Sequence, residues 1–184
     1  MELLDDGEAV RLALGGDRFG AEVLVARYQT EVYNTALRIL GNPADAEDAA
    51  QDVFIRALTR LDQYRQGESF GAWLHGIARN RSIDLVRSRR PTVELEAAPA
   101  EPASGEDVEE LALGHVERQW LLAALDRLPV RERALLVLRY WEDQSVETVA
   151  RALDMTEGAT KVALLRARRA LAALIAAEEN TGEV

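Results

Sequence analysis

The stretch Phe70–Arg90, FGAWLHGIARNRSIDLVRSRR, constrains the fold of this chain more than any other. It runs 21 residues without a proline, and its apolar residues recur at helical rather than strand spacing, so it demands one long helix. Leu74, Ile77, Ala78, Arg81 and Leu85 fall at i+3, i+4 and i+7 and are expected on the mainly buried face. Trp73, Asn80, Asp84 and Arg87 share a neighbouring face at the edge of the core. The first half is apolar and aromatic, while the second carries Arg79, Arg81, Arg87, Arg89 and Arg90. Two readings fit this stretch alone. A ring, an amide and arginines in one row suit single-stranded nucleic acid: the ring stacks, the amide reads a base edge, and arginine holds phosphate. The other, which this stretch by itself favours, is a core helix with a buried tryptophan and arginines at its negative end.

The flanking residues supply further helices and no strand pattern. Residues 8–14 form a short amphipathic turn ended by Gly15 and Gly16, and Asp17 caps a helix through Leu40 that Gly41 stops. Asn42 and Pro43 open a third helix to about residue 61, with Asp45, Glu47 and Asp48 at its positive end and Arg56 and Arg60 at its negative end. Its apolar side is Ala46, Ala50, Val53, Phe54, Ala57 and Leu61, and its outer side groups Asp48, Gln51, Asp52 and Ile55. A polar loop, Asp62–Ser69, then leads to the long helix.

Pro91 stops that helix, and a run rich in Pro, Ala and Glu follows with too little apolar surface to fold alone. Charge marks the same boundary. The net charge of −10 breaks down as −2 over residues 1–90, −8 over 91–117 and 0 over 118–184, so bulk acidity does not argue against a DNA partner. The expected organisation is all-α: two small helical domains, 1–90 and 113–184, joined by a flexible acidic linker at 91–112. With 48% hydrophobic residues, no cysteine, no metal-ligand spacing around His75 or His115, and no window apolar enough to span a membrane, a cytoplasmic chain without cofactor is expected.

Beyond the linker, a helix is expected over 107–127, and Pro129 as a first-turn proline opens another to Trp141. Ser145 caps VETVARAL, Asp154 and Met155 make a turn, and Thr156 caps EGATKVALLRARRALAALIA. That is the length pattern of a helix-turn-helix, with Ala150 at the close approach. On its second helix Ala163, Leu164, Ala167, Leu171, Leu174 and Ile175 point inward. Lys161, Arg166, Arg168 and Arg169 lie on or beside the opposite side, with Val162 and Leu165 among them, as a major-groove reader requires.

Leu24–Tyr33, Asp45–Leu58, Phe70–Arg90, Leu128–Tyr140 and Ser145–Arg169, in this order and spacing, resemble the small two-domain extracytoplasmic-function (ECF) group of sigma-70-family transcription factors. The resemblance implies that Asp48, Gln51, Asp52 and Ile55 dock on the β′ clamp coiled coil of core RNA polymerase, with the β flap as a further contact. It implies that the Phe70–Arg90 helix melts and reads the −10 element. There Asn80 holds a flipped base, Trp73 supports the pocket, and Arg79, Arg81, Asp84 and Arg87 complete the surface. The helix-turn-helix would read the −35 duplex through Thr156, Glu157, Lys161, Val162, Leu165, Arg166, Arg168 and Arg169. The linker would thread a basic cleft of polymerase, and an anti-sigma factor is a further expected partner.

The chain departs from the family at its recognition helix, which commonly reads close to GTVKSRLHRAR and here reads GATKVALLRAR. Val162, Ala163 and Leu165 replace a frequent serine, arginine and aromatic or histidine. Thr160 stands where an apolar residue usually packs, and Asp154 where the turn usually has glycine. An alternative therefore stays open at this point: a sigma-like interaction module that binds polymerase or an anti-sigma factor without directing transcription. A plain helix-turn-helix repressor would leave the first 90 residues without a role, and no nucleophile or phosphate-binding loop suggests an enzyme.

Overall fold

A computed structural model of the chain describes residues 4–65, 67–89 and 118–179. The expected linker at 91–112, Arg90 and the expected helical residues 107–117 lie outside them. Among the described residues the regular structure is helical with no strand, and the chain divides into two compact units, Met1–Val86 and Arg87–Val184.

The first unit is built from α1 (Asp6–Leu14), α2 (Arg18–Leu40), α3 (Pro43–Thr59) and all but the end of α4 (Phe70–Ser88), with a 3-10 turn at Leu61–Gln63. The caps are local and mostly as expected. Asp17 accepts from the Phe19 N–H at 2.9 Å, and Gly41 ends α2 in the left-handed conformation at φ 72°. Asn42 accepts from the Asp45 N–H at 3.1 Å ahead of Pro43. α1 begins earlier than the expected residue 8, because Asp5 and Glu8 form a reciprocal capping box. Its bonds are Glu8 N–H to Asp5 at 2.7 Å and Asp5 N–H to Glu8 at 3.3 Å.

The core of this unit gathers Val10 from α1, Leu24 and Val32 from α2, Val53 and Ala57 from α3, and Phe70, Leu74 and Ala78 from α4. Full burial of a side chain such as Phe70 contributes roughly 1.5–3 kcal/mol. The buried line of α4 runs Phe70, Leu74, Ala78, Ser82 and Val86, so it is rotated from the expected one, and Arg81 and Leu85 flank it. Ser82 takes a fully buried place because its hydroxyl donates back to the Ala78 carbonyl at 2.9 Å, leaving no polar atom unsatisfied.

α1 is held to α2 at two levels. Asp6 pairs with Arg27 and accepts the Tyr28 hydroxyl, and burial followed by this bond pushes the Tyr28 phenol up to about 12. At Gly20 the backbones meet: a Cβ there would lie 2.4 Å from the Ala9 carbonyl oxygen and 2.6 Å from the Ala13 nitrogen.

The second unit comprises α5 (Arg118–Asp126), α6 (Val130–Leu136), α7 (Val146–Ala152) and α8 (Glu157–Glu179). α6 continues to Trp141 as expected, but its last part, Val137–Trp141, widens into a π-helix closed by Glu142 N–H to Val137 O at 2.9 Å. Pro129 sits at the N-cap rather than inside the first turn. Two arginines of α6 finish other helices. Arg133, 3% exposed, donates to the Leu125 carbonyl at 3.0 Å and pairs with Asp126 at the end of α5. Arg131 donates to the Leu153 carbonyl at 2.9 Å just after α7.

Ser145 caps α7, accepting from the Thr148 N–H at 3.1 Å, and Thr156 caps α8, accepting from the Ala159 N–H at 3.2 Å. Between the helices Asp154 adopts φ 54°, which costs about 1 kcal/mol relative to glycine. Thr160, at the expected apolar position, is fully buried and donates its hydroxyl to the Thr156 carbonyl at 2.9 Å. No helix among the described residues is long and apolar enough to cross a membrane.

Gly20→Ala should lower stability by about 1–3 kcal/mol, since the clash is with backbone that no rotamer change can move. A urea titration checks this; an unchanged midpoint would mean that α1 does not cross α2 at this residue.

Candidate nucleic-acid interface

Three surfaces carry the residues singled out above. On α3, Asp48 and Gln51 are exposed and Ile55 is 64% exposed, so these three form one solvent-facing stripe. Asp52 does not face fully outward with them. It is half-buried at the seam with α4, where its Oδ2 lies 2.5 Å from Arg81 Nε and 3.5 Å from Arg56 Nη2. The N–H of Arg81 is not aligned for a hydrogen bond and its Nε is out of solvent, so the contact with Asp52 is an ion pair. Beside Gln51 an apolar groove of about 380 Å³ opens between α2 and α3, lined by Val25, Tyr33, Ala50 and Phe54. Sequence periodicity does not reveal it, because its lining is shared between two helices.

On α4, Asn80, Asp84 and Arg87 are exposed, Arg79 and Arg81 are half-buried, and Trp73 is half-buried. The Trp73 ring packs 5.6 Å from both Phe70 and Tyr64. The tryptophan is thus anchored in the aromatic edge of the core, while the amide and part of the basic row stay in water. Trp73 and Asn80 lie on one side of the helix but about two turns, roughly 10 Å, apart.

Tyr64 is the residue that the sequence reading passed over. Its ring lies 5.4 Å from Phe70, edge-on, and its hydroxyl donates to the Glu68 carbonyl, fastening the loop before α4 onto Trp73. Burial, then the charges of Asp6 and Glu68, pushes its phenol up. The signal was an aromatic in an otherwise polar loop.

On α8, Thr156, Glu157, Lys161, Arg166 and Arg169 are exposed, while Val162, Leu165 and Arg168 are half-buried. The opposite side buries Thr160, Leu164, Ala167, Leu171 and Ile175. The helix thus presents cations along one side with two aliphatic side chains between them, a pattern that suits phosphate and guanine edges. Among the described residues no group of three histidines or carboxylates could hold a metal ion.

Asp48 and Asp52 should separate in a stability assay. Asp52→Arg brings a third guanidinium to Arg56 and Arg81 and should cost about 1–2 kcal/mol, whereas Asp48→Arg, on the open stripe, should stay within about 0.5 kcal/mol. Equal urea midpoints for the two variants would contradict the seam geometry.

The family model for sigma-70 region 2 matches residues 24–92, and that for sigma-70 region 4 matches residues 118–171. The ECF RNA polymerase sigma factor SigW of Bacillus subtilis is 32% identical over 170 residues, covering 85% of this chain and 89% of SigW. The ECF RNA polymerase sigma factor SigE of Mycolicibacterium smegmatis is 36% identical over 152 residues, covering 80% of this chain but 58% of its own, so the chain spans little more than half of that relative. Among solved structures, the sigma factor RpoE in complex with the anti-sigma factor NepR from Bartonella quintana aligns with a TM-score of 0.48 at 23% identity, covering 84% of this chain and 95% of that one. With both sigma-70 regions in order and close to nine-tenths of SigW covered, the chain belongs to the ECF group of RNA polymerase sigma factors, regulators that direct promoter recognition and the initiation of transcription.

Proposed function

We propose that α3 docks on core polymerase through Asp48, Gln51 and Ile55, that α4 opens and reads the −10 element, and that α8 reads the −35 duplex. The observation that carries this reading is the separation of two exposed stripes on adjacent helices. One is acidic and aliphatic, Asp48, Gln51 and Ile55; the other offers an amide and a guanidinium, Asn80 and Arg87. The first suits a protein coiled coil with basic side chains, and the second a displaced single strand. Asn80 takes hydrogen bonds from a flipped base, and Trp73 backs it from the aromatic edge. Unstacking costs a few kcal/mol, offset by stacking and edge bonds. Arg79, Arg81 and Arg87 hold phosphates, with Asp84 beside them.

On α8, Lys161, Arg166, Arg168 and Arg169 neutralise backbone or read guanine, Thr156 and Glu157 contact the helix start, and Val162 and Leu165 meet thymine methyls. Residues 1–90 and 113–184 act as the two modules. Residues 91–112 join them, and the net charge of −8 over 91–117 suits a basic cleft. The chain works in the cytoplasm with the β′ clamp, the β flap and promoter DNA, and has no catalytic centre of its own. An anti-sigma factor belongs among its partners on family membership alone.

Transcription in vitro with core polymerase on fragmented genomic DNA, with RNA 5′ ends sequenced, should give start sites sharing two upstream elements. On such a promoter Asp48→Arg should weaken core binding by about tenfold or more. Asn80→Ala should keep core affinity and lower open-complex formation by about five- to tenfold. Lys161→Ala should weaken −35 binding evenly across sequences and reduce the salt slope by about one. Core binding without any specific start would instead favour an interaction module.

A further inference from the structure

We propose that Asp52 is a positioning residue for promoter opening, acting on DNA through Arg81 rather than on polymerase directly. This rests on the reading that α3 faces polymerase and α4 faces the −10 strand. Asp52 leaves the exposed stripe of Asp48, Gln51 and Ile55 and turns into the seam, where Arg81 Nε lies 2.5 Å from its Oδ2. That nitrogen is out of solvent with no hydrogen bond, so the carboxylate is what compensates its charge.

A guanidinium is a rigid planar fork, so holding its Nε end against a carboxylate 2.5 Å away also narrows the directions open to its two terminal nitrogens. These remain accessible, on the residue that directly follows Asn80. A phosphate meeting an already oriented fork loses less side-chain entropy on binding. Charge works in the same direction. One carboxylate faces two guanidiniums, Arg81 and Arg56 at 3.5 Å, so one positive charge is left for a phosphate of the strand held by Asn80. The pair also links the two stripes: a polymerase that holds α3 holds, through Asp52, the arginine beside the base reader.

The test is a double-mutant cycle in the reconstituted holoenzyme, on a promoter from the sequenced start sites. Asp52→Asn and Arg81→Gln are made singly and together, with Asp52→Glu as the conservative variant. Core affinity, −35 duplex binding, thermal unfolding and open-complex formation are measured for each. Asp52→Asn should leave core affinity within about twofold and lower opening by about five- to tenfold, with the double variant no worse than either single one. Asp52→Glu should recover most of the lost opening. A promoter with a pre-melted −10 bubble should keep the defect, because the lost contact is to the strand and not to duplex melting.

Loss of core affinity as large as that of Asp48→Arg would make Asp52 a polymerase contact and overturn the proposal. So would multiplying effects of Asp52→Asn and Arg81→Gln. A merely structural role would lower core binding, −35 binding and the unfolding temperature in step, and would overturn it too. If Asp48→Arg leaves core binding intact and Asn80→Ala leaves opening intact, the assignment of the two stripes fails first and carries this inference with it.

Discussion

Burial of the first turns of α4 is the constraint on which the rest of the N-terminal unit depends. Phe70 and Leu74 are almost completely enclosed, and they are reached by α1, α2 and α3 alike. The aromatic edge around Phe70, made by Tyr28, Tyr64 and Trp73 with ring centroids 5.4–5.6 Å apart, continues the core to the surface. Trp73 can be rigid and partly in water only because two of its neighbours are themselves anchored. A reading surface for a flipped base needs that combination, since stacking on a freely rotating ring would lose entropy with each contact.

The C-terminal unit solves a different problem with the same economy. Its recognition helix is long but its partner α7 is short, so the turn between them must be set by something other than helix packing alone. Arg131 supplies one constraint by taking the Leu153 carbonyl, and Asp154 supplies another by accepting a left-handed backbone. The departures at Val162, Ala163 and Leu165 leave the basic residues Lys161, Arg166 and Arg169 exposed. The helix therefore keeps its exposed cations while carrying fewer polar side chains between them.

The proposed function asks the first unit to hold two partners on neighbouring helices. α3 and α4 leave room for both, because Ala46, Ala49, Val53 and Ala57 keep α3 against the core while its other side stays open. Small residues on its inner side let α3 pack closely on α2, and the long side chain of Arg81 reaches Asp52 from α4.

Much of this was legible from local chemistry. Caps at Asp17, Asn42, Ser145 and Thr156, the stop at Gly41 and the helix-turn-helix spacing depend on groups within a few residues of one another, and the structure keeps them. The Asp5–Glu8 box is equally local, but it lies ahead of the apolar periodicity that marks the rest of α1. Periodicity also assigned most core residues, since an apolar side chain gains from any enclosing neighbour. What it could not assign were residues at the boundary between faces. Whether Asp52 points to solvent or to Arg81, whether Ser82 and Thr160 are enclosed, and that Tyr64 closes over Trp73 all depend on where a second element crosses. Helical spacing fixes the angle of a side chain about its own axis, but only the packed tertiary structure decides what stands at that angle.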